Sequence, residues 1–169
     1  MKRILIIGPG GSGKSTLSRA LGEKLGLEVL HLDRFYWSSG WIKPAPDDWQ
    51  KTVSQLLARD AWIIDGNYSG TLAQRIEACD TIVFLDLSTI VCLWRVTKRW
   101  LFYRKASRPD MADGCDEKLD IEFITWVLGY SRRSRPKIVK LIQAHHAAKK
   151  IVWLRSRKDV DRFIDSAGT

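Results

Sequence analysis

Near the start of this chain, Gly8-Pro9-Gly10-Gly11-Ser12-Gly13-Lys14-Ser15 fits the pattern G-x-x-x-x-G-K-[ST] without a gap. The apolar run Ile4-Leu5-Ile6-Ile7 leads straight into it. Leu17, Ala20, Leu21 and Leu25 follow at spacings of three and four, which puts them on one face of a helix. A buried strand, a glycine-rich turn and an amphipathic helix are therefore predicted in that order. A chain that begins this way is committed to alternating strands and helices, and hence to a largely parallel sheet.

The rest of the sequence keeps that rhythm. Leu27 to Leu32 reads as a second strand, followed by an aromatic loop from Phe35-Tyr36-Trp37 to Trp41, punctuated by Gly40, Pro44 and Pro46. Asp47 is placed to cap a helix that ends near Arg59. Ala61 to Asp65 is a third strand with an acid at its carboxyl end, and Thr71 to Cys79 a short helix. Thr81 to Asp86 is a fourth strand, after which Ser88 caps a long basic helix through Val91, Leu93, Trp94 and Trp100. Lys149 to Leu154 is the last strand, with a closing helix after Ser156.

Residues 104–120 break the pattern with charge, Pro109 and the turn-like Asp113-Gly114. Two helices are predicted beyond them, around Leu119–Tyr130 and Pro136–His145, separated by Ser131-Arg132-Arg133-Ser134-Arg135. This stretch reads as a mobile, lid-like insertion at about 100–135 in a single domain spanning 1–169. About 45 residues without strands bury too little core to stand alone.

Composition narrows the function classes. A 169-residue chain of 45% hydrophobic residues can build one core, which excludes global disorder. Lys and Arg number 28 against 19 Asp and Glu, a formal charge of +9 that favours a negatively charged partner. Cys79, Cys92 and Cys115 show no metal-like spacing and no disulfide framework, as expected in a reducing cytoplasm. No apolar run approaches the ~18 residues of a membrane span. The short apolar start runs into glycines rather than a cleavage site, so it reads as a strand and not a signal peptide.

The glycine pattern carries the chemistry. Backbone N–H groups of Gly8, Gly10, Gly11, Ser12 and Gly13 can wrap a phosphate, and the following helix presents its positive end to the same anion. Lys14 can reach the terminal phosphates, and Ser15 can place its hydroxyl on Mg²⁺. Asp65, at the carboxyl end of a strand, can hold the metal's waters opposite Ser15, or it can simply cap the turn Asp65-Gly66-Asn67.

Four segments together resemble the adenylate-kinase-like P-loop kinases, nearest to a small bacterial group labelled topology modulation proteins. They are Gly8 to Thr16, His31-Leu32-Asp33-Arg34-Phe35-Tyr36-Trp37, Trp62-Ile63-Ile64-Asp65-Gly66-Asn67-Tyr68 and Arg95-Val96-Thr97-Lys98-Arg99. The likeness covers most of the chain. It implies a three-layer P-loop NTPase fold: a five-stranded parallel sheet ordered 2-3-1-4-5, helices on both faces and a helical lid. It also implies transfer of the γ-phosphoryl group of ATP, with Mg²⁺, to a small acceptor, Thr16 joining the nucleotide contacts. Where adenylate kinases carry Asp-Gly-Phe-Pro-Arg, this chain has Asp65-Gly66-Asn67-Tyr68-Ser69. The arginine that would hold an AMP phosphate is missing there, and Asn67 and Tyr68 take the acceptor-side places. By the same resemblance Arg155-Ser156-Arg157 would border the adenine through backbone groups.

Charge stabilisation is the main demand of phosphoryl transfer. Arg95 and Arg99, four apart, share a helical face, and Arg132, Arg133 and Arg135 follow the lid; each is a candidate finger or part of a solvated basic surface. On the acceptor side Asp33 suits a hydroxyl group and Arg34 a phosphate or carboxylate, and the sequence leaves both open. Phe35, Tyr36, Trp37 and Trp41 can stack on a planar acceptor or cover the core, the commoner fate. His31 is expected inside as a hydrogen-bonded side chain, and His145 and His146 at the surface. The competing class is a nucleotide-dependent nucleic-acid-binding protein, motivated by the basic stretches at 95–108 and 132–140. No helix-turn-helix, zinc-finger or RNP signature accompanies them. The site therefore favours a kinase over a nucleic-acid binder.

Overall fold

The computed structural model describes residues 1–103, 110–115, 121–145 and 147–168. The insertion's residues 104–109 and 116–120, and His146, lie outside the described residues. Five strands, β1 (Arg3–Ile7), β2 (Val29–His31), β3 (Trp62–Asp65), β4 (Thr81–Leu85) and β5 (Lys150–Leu154), form one parallel sheet. Their order is β2-β3-β1-β4-β5. Both sequence expectations, a parallel sheet and that particular order, hold.

β1 is apolar at every position from Ile4 to Ile7 because both faces of the sheet are covered. Side chains alternate between faces. Ile4 and Ile6 join Ile63 and Val83 against α1 (Lys14–Leu25) and α8 (Arg157–Ser166), through Leu17 and Leu21 of the first and Val160 and Phe163 of the second. Leu5 and Ile7 join Trp62, Ile64 and Phe84 on the other face. There they meet Trp49 and Val53 of α3 (Pro46–Leu57), Leu72 and Ile76 of α4 (Leu72–Ala78), and Ile138 and Ile142 of α7 (Arg135–Ala144).

Element ends differ from the sequence reading in instructive ways. Leu32 is not strand: it opens a short helix, α2 (Leu32–Tyr36), so the aromatic segment begins on helix rather than loop. Asp47 is not the cap of α3. Ala45 flanks that helix, Pro46 occupies its first position, and Asp47 lies within the first turn. Ser88 does cap α5 (Thr89–Tyr103), its Oγ accepting from Val91 N at 3.4 Å. Ser156 caps α8, accepting from Asp159 N at 3.2 Å. The basic stretch 131–135 is not a linker. α6 (Ile121–Arg133) runs through it, and Ser134 alone separates α6 from α7.

Parallel strands share a carboxyl edge. The glycine turn after β1, α2 after β2, and Gly66-Asn67-Tyr68 after β3 all emerge there, the crevice where this architecture gathers ligands.

Candidate active site

The cradle is built around backbone geometry that side chains resist. Gly11 and Gly13 have φ of +78° and +94°. A Cβ on Gly11 would collide with the carbonyl oxygen of Cys92 on α5, and one on Gly10 would lie 2.6 Å from Phe123 Cζ on α6. Gly13 flanks α1 with no side-chain cap, and the first turn of α1 holds no acid. The helix therefore presents bare N–H groups, as an anion site requires. Ser12 Oγ is buried without a hydrogen-bond partner beside them. Lys14 Nζ spans the loop, donating to Gly8 O at 3.1 Å and Pro9 O at 3.0 Å. Burial lowers the Lys14 pKa, against the opposing charges of Asp65 and Asp33. These residues fit a polyphosphate.

Asp65 ends β3 and is buried. Ser18 Oγ donates to its Oδ2 at 2.7 Å, and His31 Nδ1 lies 2.8 Å from the same oxygen. Burial alone would lower the His31 pKa, but the hydrogen bond and charge of Asp65 outweigh it and raise it. His31 is thus the internal, hydrogen-bonded histidine expected. Ser18 carried no flag in the sequence, although it lies one helical turn after Lys14.

The loop after Asp65 is held from two sides. Asn67 braces the cradle: its Nδ2 donates to Gly8 O at 2.7 Å, and its Oδ1 accepts from Gly8 N at 3.2 Å. Its amide is committed first to the loop rather than to an acceptor. From below, the fully buried Arg75 of α4 donates to the carbonyls of Gly66 (2.8 Å), Asn67 (2.5 Å), Tyr68 (2.9 Å) and Thr71 (3.3 Å). Desolvation pushes its pKa down to about 9, so it stays charged at neutral pH. Sequence reading missed Arg75. The available signal was a cation on the stripe Leu72, Arg75, Ile76, Cys79, at spacings of three, four and seven on a short buried helix.

Tyr68 turns toward the crevice with φ +26° and donates its hydroxyl to Asp33 Oδ1 at 2.5 Å. Burial and the Asp33 charge raise the Tyr68 pKa well above its ordinary range, so the phenol stays protonated.

A cavity of about 760 Å³ opens over these groups. It brings together Lys14, Ser15, Thr16, Asp33, Asp65, Asn67, Tyr68, Arg95 and Arg99 of the sequence-predicted set. Arg95 Nη1 donates to Ser12 O at 3.1 Å, and the Arg99 guanidinium lies 5.8 Å from the Phe123 ring. Two of the predicted residues lie outside the cavity lining. Arg34 is exposed and does not line the cavity, because only its neighbour Asp33 on the short helix α2 does. Arg132 of α6 is also exposed and is not among the residues that line the cavity. Arg155, Ser156 and Arg157 stay with their own helix: Arg155 N and the Ser156 cap both engage Asp159, and Arg157 pairs with Asp161 at 2.8 Å.

Arg135 is committed too, bonding both oxygens of Asp86 at 2.8 and 2.7 Å, with Trp153 Nε1 on Oδ2 at 3.0 Å. Burial would raise the Asp86 pKa, but these donors outweigh it and lower it. A carboxylate lowered in the folded state contributes stability above its unfolded value, near pH 4, and loses it as pH falls through the folded value. Asp86→Asn is expected to cost about 1–2 kcal/mol at neutral pH. Urea titrations should show that gap closing in acid, and a gap constant down to pH 2 would refute the assignment.

No family model matches the chain. In sequence it is similar to uncharacterized protein YqaC of Bacillus subtilis strain 168, 25% identical over 149 residues, which is 87% of this chain and 83% of that protein. In structure it is similar to a shikimate kinase from Acinetobacter baumannii in complex with shikimate, with TM-score 0.58 and 16% identity over 98% of this chain and 89% of that one. A gluconokinase from Sinorhizobium meliloti 1021 gives TM-score 0.56 and 16% identity over 98% and 89%. A shikimate kinase from Bacteroides thetaiotaomicron gives 0.53 and 14% over 97% and 94%. The fold, a five-stranded parallel sheet ordered 2-3-1-4-5 beneath a glycine-rich turn, is the one these P-loop kinases have. Among the described residues no helix is long and apolar enough to cross a membrane.

Proposed function

We propose that this protein is a phosphotransferase that moves the γ-phosphoryl group of ATP to the hydroxyl group of a small molecule. One observation carries the reading: the cradle, both carboxylates and both α5 arginines line one cavity. The P-loop kinase fold of the structural neighbours supports it, and the comparisons lend nothing to the nucleic-acid alternative.

In this reading Gly10 to Thr16 hold the phosphates through backbone N–H groups, and Lys14 neutralises charge that grows on the transferring oxygens. Ser15 and Asp65 would hold Mg²⁺, and both line the cavity. When bound, that metal neutralises charge on the β- and γ-phosphate oxygens. Ser18 and His31 fix the rotamer of Asp65 by meeting the same oxygen. Arg95 and Arg99 supply positive charge from α5. Asp33 orients the acceptor hydroxyl and takes its proton, and Tyr68 aims the Asp33 carboxylate.

The placement of Asp33 and Arg34 supports a hydroxyl acceptor over a phosphate one. A coupled assay of ATP·Mg²⁺ against hydroxyl compounds and nucleoside monophosphates tests it. Asp33→Asn is expected to lower kcat by about a hundredfold or more with the active acceptor, the nucleotide dissociation constant holding. Arg34→Ala is expected to leave kcat/KM within about twofold. Turnover of monophosphates that depends on Arg34 and ignores Asp33 would defeat the hydroxyl assignment.

A further inference from the structure

The aromatic segment after β2 divides in two. Tyr36 packs against the core beside Trp49 and Tyr68. Trp37 and Trp41 belong to neither core cluster and line the cavity with Asp33. Covering the core is therefore not what these two indoles do.

Their setting is built. Trp37 and Trp41 meet edge to face with centroids 5.2 Å apart, Tyr36 packs edge-on to Trp37 at 5.0 Å, and Lys43 Nζ lies 5.8 Å from the Trp37 ring centre. A tight turn carries the pair: Ser38 bridges Ile42, and Trp41 N donates to Ser38 O at 3.0 Å. The turn is tied to residues 110–115, since Gly40 N donates to Gly114 O at 3.1 Å and Cys115 Sγ to Ser38 O at 3.3 Å.

Backbone conformation points the same way. Among the described residues, Trp41 (φ +66°) and Tyr68 (φ +26°) are the non-glycine residues with positive φ. Bulky side chains rarely enter that region, and residues held there cluster at ligand sites. Here both are aromatic and both line the same cavity. Glycine or asparagine would satisfy such turns with less strain, so the aromatic rings are what the turns retain.

We propose that the acceptor is an alcohol carrying a flat, unsaturated ring, which stacks on the Trp37–Trp41 platform and presents its hydroxyl to Asp33. This rests on the kinase reading above. The two indoles give their side of the cavity apolar ring surface, which suits a flat ring better than the many hydroxyls of a polyol. Other polar groups around the cavity are Arg19, Lys43, Asp110 and Glu122, of both signs, so no net charge is required of the ring. In the transfer step the acceptor oxygen forms a bond to the γ-phosphorus. The bond from that phosphorus to the β,γ-bridging oxygen breaks, its electron pair leaving on ADP. The hydroxyl proton goes to Asp33 and then to solvent.

The test uses the full chain with ATP·Mg²⁺ and two sets of acceptors. One set is flat-ring alcohols, with adenosine and thymidine as the nucleoside arm and pyridoxine and benzyl alcohol as the non-nucleoside arm. The other is saturated polyols: gluconate, glucose and glycerol. Turnover confined to flat-ring alcohols is expected, with acceptor KM raised about tenfold or more in Trp37→Leu and Trp41→Leu. Trp37→Tyr, which keeps a ring, should recover most of that loss, and the dissociation constant of an ATP analogue should hold throughout. Lys14-dependent turnover of a polyol, or acceptor KM unchanged in both leucine variants, overturns the proposal and leaves the kinase reading standing. Trp37-dependent binding of flat-ring alcohols with no phosphorylation of any acceptor sinks the kinase reading and leaves the platform standing. No binding of any flat-ring alcohol in thermal-shift titrations also overturns the platform.

Discussion

Lys14→Ala is expected to lower kcat about a hundred- to a thousandfold with little change in folding stability. In the proposed reaction, removing this ammonium takes away the charge that meets the developing negative charge of the transferring group. Its two present bonds, to Gly8 O and Pro9 O, lie on the loop's own carbonyls. Burial already disfavours this cation, as its lowered pKa records. Deleting it therefore relieves a desolvation cost while losing two charge-assisted bonds, and the two effects nearly offset. Single-turnover kinetics beside a urea titration would separate them. Full activity in the variant would end the phosphotransferase reading. A collapse in stability would instead make Lys14 a structural clasp.

Arg75→Ala should have the largest effect on stability, about 3–5 kcal/mol. The guanidinium is fully buried and serves backbone carbonyls of residues 66, 67, 68 and 71. Deleting it leaves those oxygens unsatisfied and opens a void beneath the active loop. For a chain of this size the midpoint of thermal unfolding should fall by roughly 10 °C. Arg75→Lys should rescue little, because an ammonium lacks the planar fork that reaches several carbonyls at once. A fall below about 2 °C for Arg75→Ala would show that the loop holds itself.

Sequence legibility tracked how local each feature is. The cradle was readable because its chemistry lies in consecutive residues, and the strands because short apolar runs bounded by turns leave few alternatives. Asp33 and Arg34 could not be separated, since one position on a five-residue helix decides which faces the crevice. Arg132 and Arg135 looked alike in the basic run, yet one is at the surface and the other grips Asp86, 49 positions away in sequence. At Asp47 sequence and structure part because an acid in the first turn and an acid at the cap look alike, and Pro46 sets the start two positions earlier. Arg75 was hidden for a different reason: its partners are backbone carbonyls, which leave no mark on residue identity.

Gly11 answers to two masters. A methyl group there would spoil the phosphate cradle, and it would also strike the Cys92 carbonyl where α5 crosses the loop. The second demand is purely one of packing and would persist if the chemistry vanished. A related chain that bound no phosphate would keep this glycine anyway, as a tenant of the helix crossing. Glycine at position 11 therefore records the architecture of such chains. Lys14, whose ammonium bonds the loop's own Gly8 and Pro9 carbonyls, is the better witness to the proposed phosphate chemistry.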